Sequence, residues 1–549
     1  MLSKGYYFVK IIFMNIKIER EKIITYIIIG IGIILRVLYI NRFPAGLNCD
    51  EASSAYEAYS IMTTLHDRNN IFMPVYLLSW GSGQNALLTY IMIPFVKLFG
   101  LNIWTTRLPM AIISSVSVIV FYKLLELVYD NESDKFIVFF GILFFTLNPW
   151  HIMKSRWGLE SNLLPDIVLF GVYYLVKYFK SNKNLNIYIS FTFFAISTYA
   201  YSTSFLALTL FTILLFIYGY VTKTIKIKQM LISAVIVLII AWPLMLFVLI
   251  NTFNLKEIDL IFLSIPKLTT NRLFTESIVN NSGIIRTLLE NIFNVFKFFI
   301  IQDDNIYWNS ISGIGMYYIF SFPFFVIGVL KLLVENTKGK FNHYKNLMFI
   351  WLISGLIMCL FISSINVNRA NFVIIPIIYF IIDGFSVIFK RKILKILVCC
   401  LISVSFALFI YRYIEINLDK EKRVVVSNAD CFAVGYGELI DYLDKRSDLK
   451  EIHLGGTVHE PHIYVLFYTK YDPVKFHNTK VLYSKKGNFN NVKSFGKWNF
   501  DLPRIGSMGL SKNPNVAYVF NDYLELVDDN NEFNIEKISN YLVVTYKGD

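Results

Sequence analysis

The chain has little charge for its length, 17% of its 549 residues, and only five cysteines. No two of these form a Cys-x-x-Cys pair or a metal-like spacing, which argues against a zinc site or a redox pair. Cys359, Cys399 and Cys400 fall inside apolar runs, leaving Cys49 and Cys431 as the two that could meet outside a membrane. There is no P-loop, no GxGxxG opening a helix, no HExxH and no GxSxG, so several common chemistries lack local support. No internal repeat is visible, which disfavours transporters built from duplicated halves. No small-residue cleavage site accompanies the first apolar run, which therefore reads as an uncleaved anchor.

What the chain does have is hydrophobicity. It is 55% hydrophobic, with 49 Phe and 35 Tyr, and its mean hydropathy is +0.52. Apolar runs recur from Lys22 to about Arg412, as expected of a polytopic α-helical membrane protein. The net charge of +13 does not point to nucleic acid, because Lys and Arg gather in short loops between the runs. Lys10, Lys17, Arg20 and Lys22 place the N-terminus on the cytoplasmic side. So do Lys177/Lys180/Lys183, Lys223/Lys226/Lys228, Lys331/Lys338/Lys340/Lys345 and Lys390/Arg391/Lys392/Lys395 for their loops. Ala86–Gly100 is apolar but shorter than the roughly 20 residues a crossing needs, so residues 41–107 read as one outer loop with surface helices.

The expected spans are 22–40, 108–127, 136–150, 163–180, 186–201, 205–220, 230–250, 313–333, 347–364, 372–389 and 393–412. That is about 11 transmembrane helices in residues 1–414. From 415 to 549 the composition is that of a small soluble α/β domain on the extracellular side. Its strand-like runs are Arg423–Val426, Glu451–Leu454, Lys480–Tyr483, Val516–Phe520 and Tyr541–Tyr546, and its helix-like ones Gly437–Lys445 and His462–Lys470. The expected location is the cytoplasmic membrane of the cell, crossed many times.

Three polar clusters fall on the outer side. Asp50-Glu51 lies just past the first span and could supply a general base and a helper. It could also be a helix's first turn, with Asn48 and Glu51 forming a capping box. No cofactor is required by the residues, and two adjacent acids leave a divalent cation open without defining a site. The second cluster, His151 to Glu160, holds Lys154 and Arg156 against the inward bias of positive charge. Arg156 and Glu160 have the spacing of a helical ion pair, and Asp166 after Pro165 reads as a helix-start acid. An Arg at the membrane boundary also suits a lipid phosphate, since its planar fork pairs two oxygens. Third is Asn366–Asn371, where Arg369 is the one charge and either snorkels or binds an anion. Asp303, Asp304, Tyr307 and Trp308 read as solvated acids and interfacial aromatics, with stacking on a sugar as the alternative for the aromatics.

The segment Pro44-Ala45-Gly46-Leu47-Asn48-Cys49-Asp50-Glu51-Ala52, with Ala55-Tyr56, resembles the first-loop motif of the dolichyl-phosphate-mannose–protein mannosyltransferase family. That family includes the bacterial aminoarabinose lipid A transferases and has the membrane-embedded C-type glycosyltransferase fold. Gly83-Gln84-Asn85-Ala86-Leu87 through Arg107-Leu108-Pro109, and Asn148-Pro149-Trp150-His151 through Glu160, are similar to further stretches of it. So is Asn368-Arg369-Ala370-Asn371-Phe372 before Pro376. The resemblance covers residues 22–390 and implies Asp50 as base, Glu51 as its helper, and Arg156 and Arg369 on the donor phosphate. It also makes 53–65 and 86–107 juxtamembrane helices. Glu160, Lys154, His151 and Gln84 are the further candidates around that site, and no metal ligands are implied.

The function so implied is inverting transfer of a mannose-like hexose from a polyprenyl-phosphate donor. The acceptor would be a hydroxyl of a protein, glycan or lipid at the outer membrane face. The competing readings are a transporter or flippase of a lipid-linked sugar, and a glycan polymerase or ligase.

Overall fold

The structure, a computed structural model, describes residues 22–80, 82–131, 134–268, 278, 283–419, 421–423, 431–483, 492–501, 510–521 and 532–548. It is a helical bundle carrying a small mixed sheet at one end. Helix α1 (residues 22–37) leads into α2 (Cys49–Thr64), the short strands β1 (Tyr76–Leu77) and β2 (Gln84–Asn85), and α3 (Leu87–Phe99). Then come α4 (Ile103–Val128), α5 (Lys135–Thr146), α6 (Pro149–Ser155), α7 (Glu160–Ser181), α8 (Asn184–Ser197), α9 (Ser204–Val221) and α10 (Ile227–Thr252). A hairpin of β3 (Ile258–Asp259) and β4 (Ser264–Ile265) precedes α11 (Ile284–Ile301). Four more apolar helices follow: α12 (Phe322–Thr337), α13 (His343–Leu360), α14 (Val367–Phe385) and α15 (Lys392–Leu418).

Among the described residues, seven helices are long and apolar enough to cross a membrane. An eighth span results if α5 and α6, bent by 48° at their junction, are taken together. The bend corrects the single span expected at 136–150. Asn148 accepts from His151 N and Pro149 opens α6, so the Asn-Pro pair starts a new helix there. The three other expected spans correspond to α1, α7 and α8; α8 has only 14 residues, and α7 carries Glu160, Asp166, Lys177 and Lys180.

Helix α14 lies at the centre, packed by α5, α7, α12 and α13 and buried along almost its whole length. It meets α12 backbone to backbone. A Cβ on Gly384 would lie 1.9 Å from Phe324 O, and one on Gly328 2.0 Å from Phe380 O. Small residues at that crossing are therefore a steric requirement. Helices α10 and α15 instead turn most of their apolar side chains outward, as lipid-facing helices do.

The first loop is held down by α2 packed on α3 and by Val75 N donating to Ser264 O at 3.0 Å. The C-terminal region contains α16 (Tyr436–Lys445), β5 (Glu451–His453), α17 (Pro461–Tyr468), α18 (Pro473–Thr479) and β6 (Val481–Leu482). It continues with β7 (Val492–Phe495), β8 (Trp498–Asn499), β9 (Val516–Asn521), β10 (Phe533–Ile538) and β11 (Tyr541–Tyr546). The sheet order is β10-β11-β9-β5-β8-β7-β6, with β5 parallel to both its neighbours. Apart from Arg423, which is helical, the strand expected at Arg423–Val426 lies outside the described residues.

This domain sits on the first loop. Leu47 N donates to Phe432 O at 2.7 Å and Tyr56 OH to Tyr471 O at 2.8 Å. Gly46, at φ +78°, has no room for a Cβ beside Phe432 O.

Candidate active site

The capping box foreseen at the start of α2 is present. Asp50 N donates to the Asn48 side chain at 2.9 Å, and Asn48 N to Glu51 Oε2 at 3.2 Å. Glu51 does more than cap. It is wholly buried, and Arg107 grips it with Nε on Oε1 and NH2 on Oε2, both at 2.9 Å. Gly158 N adds a bond to Oε1 at 2.7 Å. Arg107 also donates to the carbonyls of Ile40, Pro44 and Gly46, tying α4 to the loop ahead of α2. Glu51 is thereby fixed in an ion pair, with its oxygens facing protein.

Asp50, the next residue round the turn, points elsewhere. It lines a cavity of about 580 Å³, and Trp80 Nε1 donates to its Oδ1 at 2.7 Å. Gln84, Glu160, Asn368 and Arg369 line the same cavity. Gln84 Nε2 reaches the Asp50 carbonyl at 3.4 Å, and its buried Oε1 has no hydrogen-bond partner among the described residues. Glu160 accepts from the backbone N and the side chain of Asn85, which pins β2 to the start of α7. Arg369, in the first turn of α14, places NH1 on Ser364 O and Oγ at 2.9 and 2.6 Å. Four of the eight residues singled out in the sequence thus meet at one cavity.

Of the other four, Glu51 is held by Arg107 as described, and three are used elsewhere. Arg156 donates to the carbonyls of Leu35, Leu38 and Phe43, at 2.5, 2.8 and 3.2 Å, and lies outside the cavity. It satisfies the open carbonyls at the end of α1, and makes no ion pair with Glu160 because a turn separates α6 from α7. Lys154 and His151 belong to a buried network around Asp166. Lys154 Nζ is 2.6 Å from Asp166 Oδ2, and His151 Nε2 lies 3.3 Å from Oδ1. Arg36 donates to His151 Nδ1 at 3.0 Å; arginine only donates, so Nδ1 accepts and the ring is neutral with its proton on Nε2. Asp166 is therefore the anion of a polar core two turns into α7, and not a helix-start acid.

Asp304 is likewise no solvated acid: it accepts from Val367 N at 3.0 Å and caps α14, and Tyr307 is buried against Phe432. All five cysteines are free thiols. Among the described residues no three His, Cys, Asp or Glu are grouped to hold a metal ion, and Arg107 occupies the second acid of the pair.

Trp80 and Arg107 are the residues the sequence did not mark as parts of this site. Trp80 is an aromatic inside the polar stretch Ser79–Gln84, and its φ of +51° is unusual for a bulky side chain. It stands beside a second cavity of about 320 Å³ between the first loop and the sheet domain. There Arg68 lies over the Trp80 ring at 5.1 Å and pairs with buried Glu57 at 3.3 Å. Glu460 Oε2 is 3.3 Å from His462 Nδ1. Burial holds His462 below its usual range, outweighing Glu460. Burial acts to raise Glu460, but the hydrogen bond from His462 brings it below the usual carboxylate range. Burial pushes Glu57 up to about 7 against the pull of Arg68.

The bundle with its small sheet domain has the membrane-embedded C-type glycosyltransferase fold, as the likeness to a solved structure of that fold shows. The structure is similar to ArnT from Cupriavidus metallidurans bound to undecaprenyl phosphate, with a TM-score of 0.53 and 10% identity, covering 94% of this chain and 97% of that one. It is more loosely similar to the oligosaccharyltransferase of Archaeoglobus fulgidus tethered with an acceptor peptide, at a TM-score of 0.48 and 11% identity, over 82% of this chain and 63% of that one. The S. cerevisiae Pmt1–Pmt2 O-mannosyltransferase complex bound to the sugar donor matches at a TM-score of 0.32 and 16% identity, over 42% and 33%. These two superpose too loosely to bear on the assignment. No family model and no curated protein matches the sequence.

Proposed function

We propose that the protein is a glycosyltransferase that moves a sugar, a hexose on the family resemblance, from a polyprenyl-phosphate carrier to an acceptor hydroxyl. The reaction would take place at the extracellular face of the cell membrane. One observation carries this reading. Phe205 lines both the cavity holding Asp50 and Arg369 and an apolar groove of about 600 Å³ between α8, α9 and α10, so the two adjoin at that side chain. A largely apolar chamber that holds an acid and a guanidinium, next to an apolar groove, fits an anionic headgroup on a long isoprenoid tail. Support also comes from the neighbour of like fold and near-equal length, whose structure holds undecaprenyl phosphate.

In the proposed reaction Asp50 accepts the proton of the acceptor hydroxyl. That oxygen forms a bond to the anomeric carbon from the face opposite the phosphate. The bond from carbon to phosphate oxygen breaks, and the polyprenyl phosphate leaves with its charge met by Arg369. Inversion at the anomeric carbon follows from the single displacement. Trp80 donates to Oδ1 of Asp50, which stands in the capped first turn of α2. Arg156, committed to the end of α1, takes no part, and Glu51 acts through its ion pair as a positioning residue.

The test is transfer from defined polyprenyl-phosphate hexoses to a panel of hydroxyl acceptors by purified protein in nanodiscs. Asp50→Asn is expected to slow transfer by about 10²–10⁴-fold at unchanged donor binding. Unchanged transfer in that variant would remove Asp50 from the chemistry. Lipid translocation in vesicles without any transfer would make the protein a transporter.

A further inference from the structure

The 320 Å³ cavity beyond Trp80 has walls from two parts of the chain that are far apart in sequence. The first loop contributes Arg68, Ser79 and Trp80, and the sheet domain contributes Glu460, His462 and Lys480. Trp80 and Ser82 line both this cavity and the one holding Asp50, so the two adjoin at Trp80. Trp80 and Glu460 both adopt a left-handed backbone, each at φ +51°, and both are bulky residues that rarely do so. Such conformations persist where the surroundings enforce them, and they collect at binding sites.

The walls carry charges of both signs. Arg68 is committed to Glu57, and its NH1 and NH2 donate to Ser53 and Ser79 at 2.6 and 3.1 Å. Lys480 and Glu460 line the same cavity, and burial holds His462 below its usual range. An anion would therefore meet the Glu460 carboxylate, and a cation the Lys480 ammonium. A neutral polyhydroxylated ligand suits both, since each hydroxyl donates to a carboxylate and accepts from an ammonium. Lys480 spends one of its N–H groups on Arg68 O at 3.2 Å and lies over the Phe476 ring at 5.1 Å, and Phe476 and Trp80 are the aromatic walls of the cavity. The volume is at the lower end of ligand pockets, about 300–1,000 Å³, which admits a sugar ring or two.

Resting on the transferase reading above, we propose that this cavity is the acceptor subsite and that it takes the neutral, hydroxyl-rich end of a glycan, presenting one hydroxyl past Trp80 to Asp50. Glu460 and Lys480 bind that glycan end and set acceptor choice.

Binding to the full-length protein in nanodiscs, measured by thermophoresis without sugar donor, tests this independently of catalysis. The probes are labelled neutral disaccharides (gluco, galacto, manno and N-acetylhexosamine), a phosphate-bearing disaccharide, a Ser/Thr peptide and, separately, polyprenyl phosphate. At least one neutral disaccharide should bind saturably. Glu460→Gln and Lys480→Met should each weaken that binding about tenfold, with polyprenyl phosphate binding retained as evidence of a folded protein. The proposal is overturned if no neutral disaccharide binds, if both variants leave its binding unmoved, or if only the peptide or the phosphorylated sugar is captured. Failure of the transferase reading looks different: polyprenyl phosphate binding would then be indifferent to Arg369→Gln.

Discussion

Asp50 and Glu51 are adjacent, share one charge and one helix turn, and are separated in role by the side chains opposite them. Arg107 closes on Glu51 in a pair with no solvent access. Removing one partner of such a pair leaves a buried charge unmatched, at a cost of about 3–5 kcal/mol. Glu51→Gln is therefore expected to lower the unfolding midpoint markedly in scanning fluorimetry, whereas Asp50→Asn, on a cavity wall, should leave it near wild type. Equal stability of the two variants would contradict this division. The sequence held both readings of the pair, cap and catalyst, and could not apportion them. The residues that decide, Arg107 and Trp80, lie 56 and 30 positions away.

At the scale of elements, the turn entering α17 ties the sheet domain to the first loop. His462 stands edge-on to Trp80 with ring centroids 6.0 Å apart, and burial holds its pKa below the usual range. The unfolded chain binds a proton there near pH 6.5, so the stability this group contributes is complete above that pH and is lost as the pH falls below it. Glu57, raised to about 7, titrates in the opposite sense, since its protonation favours the folded form as pH drops through 7. The informative quantity is therefore the difference in melting temperature between wild type and His462→Gln. From pH 8 to pH 5 it should move against the wild type; a flat difference would show that the turn does not resist protonation. Sequence periodicity located α16, α17 and several strands of this domain, but not β7, β8 or β10, whose pairing depends on partners distant in the chain.

Across the whole molecule, the groove between α8, α9 and α10 gives the proposed donor a place to leave its tail in the bilayer. A ligand at a hundred times its dissociation constant adds about 2.7 kcal/mol to the folded state, so polyprenyl phosphate should raise the melting temperature in nanodiscs. Thr209→Trp, an exposed groove position, should leave the unliganded midpoint unchanged and shrink that rise. A full rise in the variant would place the lipid elsewhere. The amino-acid sequence by itself determined the membrane-embedded helical class, the short apolar helix of the first loop, the capping box at Asn48 and Glu51, and the change to a sheet domain. These depend on local hydropathy and on contacts a few residues apart. Only the tertiary structure decided that Arg156 caps a helix end, that His151 and Lys154 serve a polar core, and that Asp50, Gln84, Glu160 and Arg369 face one cavity. Which way a charged side chain turns is set by the opposite charge or carbonyl that packing brings to it, and those partners come from elsewhere in the chain.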